Sequence, residues 1–383
     1  MLSFFALLLQ AGSAPVTPPR DIVVTARPLD VTGRALAECR ARNCPPDEEA
    51  RAALAHAENQ FVAGTYEAAR QTLQGTINRI KGAAKTYPVP VADVLRANSR
   101  IDLHLGESAL YRYGQIDSLN ALKAGLPATD GRVLIQRIEV VDADARTGRF
   151  EDALRNYAIV ANDAHAAGQA AAEGYARLRL VVLLTAISNV NAGYETDLRQ
   201  AVRWFDARPD LAGFATAART MELQHFARKG DPAAVDRLIA AAGRTGTTPR
   251  LLYAPTLRQQ DEARQENQNG GSATNALAPD DYAGQWADVS FWVTPDGKVS
   301  DIDVLRGGPR LRRDWLKPVI TNIAARRYAP LAMEANAPGV LRVERYTLTA
   351  FWTATNTGSR IRARENQSRI EMLDLTAEPA TPG

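Results

Sequence analysis

Four histidines and two cysteines are the side chains with which this chain could most readily do metal or nucleophilic chemistry. His56, His104, His165 and His225 fall on separate predicted helices, with neither His-x-x-x-His nor His-Glu-x-x-His spacing, so no ligand set for a catalytic metal emerges. Leu105-Gly106-Glu107-Ser108-Ala109 lacks the second glycine and the strand-to-helix setting of a nucleophile elbow. Gly270-Gly271-Ser272 has no lysine and no flanking strand, so it is no phosphate cradle. Carboxylates are plentiful, but the sequence pairs no two of them in a cleft. We therefore expect no enzyme activity, no catalytic residue, no cofactor and no metal. Cys39 and Cys44 have four residues between them and no clustered histidine to complete a tetrahedral zinc site. A local disulfide is expected, contributing about 2 kcal/mol by loop closure; the alternative is a pair of reduced thiols.

At 383 residues the chain has room for two or three domains. Hydrophobic residues at 45% and charged residues at 23% are the proportions of a folded, water-soluble protein. A net charge of +3 is too small to bind nucleic acid by counterion release, so that partner class is excluded. Residues 1–14 begin with Met-Leu-Ser-Phe-Phe-Ala-Leu-Leu-Leu and end in small residues, the pattern of an export signal, although no Lys or Arg precedes the apolar run. We expect an exported, periplasmic protein with no stable membrane span, since every apolar run is shorter than the roughly 20 residues a bilayer needs.

Composition divides the remainder. Residues 15–44 read as an extended, Pro-rich segment carrying a β-branched island and the cysteine pair. Residues 45–257 are rich in Ala, Leu and Arg, with apolar positions at three- and four-residue spacing and Gly-containing turns, the pattern of antiparallel helix pairs. Residues 258–281 have almost nothing to bury and read as a flexible linker, long enough for independent domain motion. Residues 282–376 carry strand patterns, and 377–383 form a disordered tail. The fold class is α+β multidomain.

Within the helical region one phrase recurs: Gly64-Thr65-Tyr66-Glu67-Ala68-Ala69, Gly114-Gln115-Ile116-Asp117-Ser118-Leu119 and Gly148-Arg149-Phe150-Glu151-Asp152-Ala153. Each is expected at a helix turn, with weaker echoes at Gly193 and Gly230 giving about five hairpins. Gly114 and Gly148 stand 34 residues apart. This spacing, with Ala57, Gly64, Tyr66 and Ala69 and again Gly148, Phe150, Ala153 and Tyr157, resembles the tetratricopeptide repeat family. The resemblance implies a solenoid whose concave face binds protein partners.

In the carboxyl-terminal region, Trp286 to Val293 and Lys298 to Val304 flank Pro295-Asp296-Gly297, a β-hairpin. A helix is expected from Leu311 to Arg326, kinked or delayed by Pro318, followed by Arg327-Tyr328-Ala329-Pro330 and a long strand within Leu341 to Thr353. With the Gly307-Gly308 break, this β-β-α-β order resembles the carboxyl-terminal domain of TonB. The resemblance implies a small sheet whose exposed strand edge captures extended peptides, with Arg327, Tyr328, Pro330, Arg342, Arg345 and Tyr346 among the binding residues. Ser368 to Leu375 reads as a further strand that could cover that edge. The chain lacks the amino-terminal spanning helix and long proline-rich spacer of that family, which argues against an energy-transducing role. The island Asp21-Ile22-Val23-Val24-Thr25-Ala26, flanked by Arg20 and Arg27, resembles the TonB box of outer-membrane receptors. We expect a protein–protein adaptor that binds extended peptides, linked to TonB-dependent transport. The alternative is an assembly protein that self-associates through residues 20–27 and the carboxyl-terminal domain.

Overall fold

The computed structural model describes residues 28–229, 232–244, 246–255, 257, 282–334, 336–352 and 368–376. The expected export signal at residues 1–14, the island Asp21 to Ala26, the 258–281 segment and the 377–383 tail lie outside the described residues. The architecture is a helical amino-terminal region followed by a small antiparallel sheet, and the chain divides into two compact units between Ala218 and Arg219.

The helical unit opens earlier than the sequence suggests. Helix α1 spans Leu29–Ala41, within the stretch expected to be extended, because Thr32, Leu36 and Cys39 share a face that is buried. Its end is fixed by the Cys39–Cys44 disulfide and by Arg40, which donates to Glu49 at 3.1 Å and to Thr76 at 2.7 Å. Then follow α2 (Pro46–Val62), α3 (Tyr66–Ile80), α4 (Pro88–His104), α5 (Ser108–Gly125), α6 (Gly131–Arg146), α7 (Phe150–Ala166), α8 (Ala170–Ser188) and α9 (Glu195–Arg203). Each packs on the next, and α2 also touches α4, as α6 touches α8. Helix α10 (Ala212–Arg228) contains the division between the units.

Three turn glycines, Gly64, Gly106 and Gly148, at φ 80°, 86° and 86°, recur every 42 residues, and Gly168 (φ 67°) makes a further turn 20 residues after the last. At all three the following amide reaches back to the carbonyl four residues before the glycine: Thr65 to Gln60, Glu107 to Asp102, and Arg149 to Asp144, at 2.8–2.9 Å. This left-handed cap ends one helix and starts its partner. An ion pair repeats with the same period: Arg70 approaches Asp102 at 3.6 Å, and Arg112 approaches Asp144 at 2.7 Å. The first pair is weak, since burial lifts the Asp102 carboxyl to about 6 against the opposing pull of Arg70.

Gly114, expected at a turn, lies inside α5. Its role is close approach: a Cβ there would stand 2.6 Å from the Ser99 Cβ on α4. The rest of that phrase is also helical core, with Gln115 Nε2 donating to Ser99 Oγ at 2.7 Å and Ser118 Oγ to the Ala92 carbonyl at 3.0 Å. The expected 34-residue period therefore gives way to one of 42.

The second unit begins before the anticipated linker. Helix α11 (Pro232–Ala242) and strand β1 (Leu251–Tyr253) belong to it, with Leu238, Leu252 and Ala329 sharing a small core. After residue 281 come β2 (Trp286–Val293), β3 (Val299–Gly307), α12 (Leu316–Ala324), β4 (Arg327–Tyr328), β5 (Val340–Thr349) and β6 (Arg369–Asp374). β1 pairs with β4, and Asn322 Nδ2 donates to the Pro255 carbonyl at 2.6 Å. Residues on both sides of 258–281 thus belong to one unit, and that segment is an insertion within it rather than the join between two.

The main sheet has the order β3-β2-β5-β6, antiparallel throughout. Ala287, Val289, Phe291 and Val293 alternate along β2 toward α12, where Trp315, Leu316, Val319 and Ile323 meet them, and Tyr346, Leu348 and Ile370 extend the same core. Pro318 is the third residue of α12, so the helix starts later than the apolar pattern alone suggests. Among the described residues no helix is long and apolar enough to cross a membrane.

Two outcomes test these helix contacts. Gly114→Val should lower stability by about 1–3 kcal/mol in urea unfolding, because overpacking against Ser99 outweighs the better helix propensity. The Asp102 carboxyl holds its proton to higher pH when folded, so it makes stability fall as pH rises from about 4 to 6. Asp102→Asn should flatten that part of the stability–pH curve.

Candidate functional site: the strand-pairing border

β5 is bracketed. On one side the ladder to β2 runs from Trp286↔Thr347 to Val293↔Val340, and on the other the ladder to β6 runs from Glu344↔Asp374 to Thr349↔Arg369 without a shift. The edge expected to be available to a foreign strand is therefore occupied by the chain's own later residues. The pairing continues past β6, with the Leu375 amide donating to the Val343 carbonyl at 2.8 Å and the Val343 amide to Thr376 Oγ1 at 3.1 Å.

The other border, β3, has only β2 beside it among the described residues. Its Val304 and Leu305 are 42% and 56% exposed, so apolar surface is present. Regular pairing is not: its register with β2 shifts twice, and Asp301 takes a left-handed φ of 48°. Those bulges break the even row of amides and carbonyls that strand addition requires. β5, by contrast, carries straight ladders on both flanks.

The side chains expected to select a peptide behave differently from one another. Arg345 is fully buried on the face away from α12, where its guanidinium meets both oxygens of Asp288 at 2.6 and 2.9 Å and lies 4.1 Å from the Trp286 ring centre. Arg306 joins the same carboxylate at 2.6 Å. Tyr346 is buried on the opposite face, its hydroxyl donating to Glu344 and accepting from Arg326 Nη2 at 2.7 Å. Arg326 also grips Glu344 at 2.9 and 3.1 Å. Arg345 and Tyr346 are thus internal supports rather than surface selectors. Each sits on a charge that needs it, which is why neither faces water.

Burial pushes the Tyr346 hydroxyl far above its ordinary range, and Glu344 adds to the shift. Tyr328 is raised to about 12 for the same two reasons, burial first. For Arg326, burial works against the charge, but the Glu344 carboxylate together with the Tyr346 and Tyr328 hydroxyls more than offsets it, so it remains a cation. Arg327 sits in β4 opposite Tyr253, with Nη1 donating to the Arg326 carbonyl at 2.8 Å, and Pro330 is half-buried just beyond. The turn before β3 rests on this strand through the Tyr328 amide, 2.7 Å from the Gly297 carbonyl. The Arg-Tyr-x-Pro stretch therefore supports the sheet from beneath.

Arg342 is the exception. It is 6% exposed, and its Nη2 donates to Asp374 of β6 at 2.5 Å. Of the six carboxyl-terminal residues expected to bind a peptide, it is the one seen reaching a side chain on the added strand. Sequence reasoning missed Asp288, Arg326, Glu344 and Asp374. A charge within an apolar strand was the available signal at Asp288 and Glu344, but their mates are far away in sequence.

Cys39, Cys44 and Glu48 bring ligand-type atoms within 4.8 Å of one another, and both sulfurs are spent on the disulfide. No protein-family model matches the chain, and no curated protein matches it either.

Removing one member of a buried pair is far costlier than removing both. Asp288→Ala should destabilise the second unit by about 3–5 kcal/mol in denaturant titration followed by tryptophan fluorescence, and adding Arg345→Met should recover much of that loss.

Proposed function

We propose that this protein is a non-enzymatic periplasmic adaptor that captures extended peptides by strand addition at β5 and meets further partners through its helical hairpins. In this reading the helical unit is tetratricopeptide-like and the sheet unit is like the carboxyl-terminal domain of TonB. A role beside TonB-dependent outer-membrane transport follows from those two likenesses.

One observation carries the proposal. β6 is joined to β5 only through residues 350–368 and lies on it as an added strand, in unbroken register over six residue pairs. An edge that accepts the chain's own segment through backbone pairing offers the same row of groups to a foreign one once β6 leaves. The Cys39–Cys44 disulfide suits an oxidising compartment. The helical hairpins supply stacked surfaces of the kind that bind partners rather than catalyse.

Strand exchange requires β6 to open without the rest of the unit. Native-state hydrogen exchange on the full chain should show β5–β6 amides exchanging through a low-energy opening, and β2–β5 amides only through global unfolding. Free peptide 368–376 in excess should slow exchange at β5. Identical protection on both flanks of β5 would refute the proposal.

A further inference from the structure

The chain's own strand shows which peptide chemistry the border accepts. Three side chains of β6 point toward α12 and fit features of β5: Ile370 opposite Leu348, Met372 opposite Tyr346, and Asp374 opposite Glu344. The first two complete an apolar core. The third is unfavourable by itself, because it sets one carboxylate directly across from another. Arg342 resolves the conflict, since it reaches diagonally to Asp374 while Arg326 neutralises Glu344.

Arg342 is poorly served by this arrangement. Its side chain is 8% exposed, yet among the described residues Nε is buried without a hydrogen-bond partner, and Nη2 has Asp374. Asp374 divides its carboxylate, giving one oxygen to Arg342 and the other to the Thr376 amide at 2.9 Å. A buried guanidinium with an unfilled donor, whose acidic mate rides on β6, favours a carboxylate in any strand that takes the place of β6.

Resting on the strand-addition reading above, we propose that Arg342 is a specificity-determining residue for acidic peptides. The favoured ligand is an extended segment running antiparallel to β5, with apolar residues at the places of Ile370 and Met372 and Asp or Glu at the place of Asp374. The occupant is a foreign peptide of that pattern. A carboxamide at the third place would leave the guanidinium buried without its counter-charge, and a positive side chain would repel it.

The test uses the full chain carrying Asp374→Asn, in which the resident strand is loosened, and two fluorescent peptides read by anisotropy. One has the sequence of residues 368–376; the other is the same peptide with Asp374→Asn. The acidic peptide should bind at least about tenfold more tightly than the amide, as expected for a charged hydrogen bond. Arg342→Gln in the same background should bring the ratio near one, with circular dichroism confirming the fold. Should that variant unfold, Arg342→Lys replaces it, and the acid preference should shrink as the forked contact is lost. Equal affinities with Arg342 intact would overturn the acid rule while leaving strand addition standing. If neither peptide binds at millimolar concentration, both ideas fall together. A dimer in sedimentation that exchanges β6 between copies and ignores either peptide would assign the border to a second copy and overturn the proposal.

Discussion

The middle of the sheet is held by opposite charges buried on its two faces. Glu344 and Arg345 are adjacent in β5, so alternation sends one toward α12 and the other away from it. Each finds its mate on a different element: Arg326, just past α12, and Asp288, on β2. The register of β5 against β2 is thereby fixed twice, since sliding by one residue would bury both charges without counter-ions. Apolar packing alone would give a sheet; these pairs select one alignment of it. A strand so firmly placed is a suitable template for pairing along its other flank.

The helical unit uses a related device, with a buried aspartate in each pair. An arginine six residues after one turn glycine meets an aspartate four residues before the next, first as Arg70 with Asp102 and then as Arg112 with Asp144. The pairs are unequal because burial of Asp102 competes with its partner, whereas Asp144 sits at 2.7 Å from Arg112. Periodic contacts of this kind tie each hairpin to its neighbour, so stability accumulates along the array.

Element types were legible in the sequence where periodicity was strong. The β-hairpin around Pro295-Asp296-Gly297, the apolar helix with its Pro318-delayed start and the strand after Leu341 are present, as is the later strand beside β5. The repeat was misread because Gly114 and Gly106 look alike as letters. One permits a close helix crossing against Ser99 and the other a left-handed turn, and only φ distinguishes them. The unit boundary was misplaced because a polar stretch marks a surface excursion equally well inside a domain or between two. Arg345 and Tyr346 were expected to bind a peptide because a single sequence does not disclose that Asp288 and Glu344 need them. Arg342 was legible in position, but its attachment to Asp374 depends on a pairing between strands far apart in the chain.

The twice-shifted border at β3 bears on how the protein behaves when crowded. Bare strands with exposed valine and leucine invite sheet growth from molecule to molecule, the first step toward fibres. Here the left-handed Asp301 and the register slips deny an approaching copy more than a few consecutive bonds, and Asp301 and Asp303 add mutual repulsion. The β3 rim is thereby shaped against polymerisation, whatever pairs at the opposite rim.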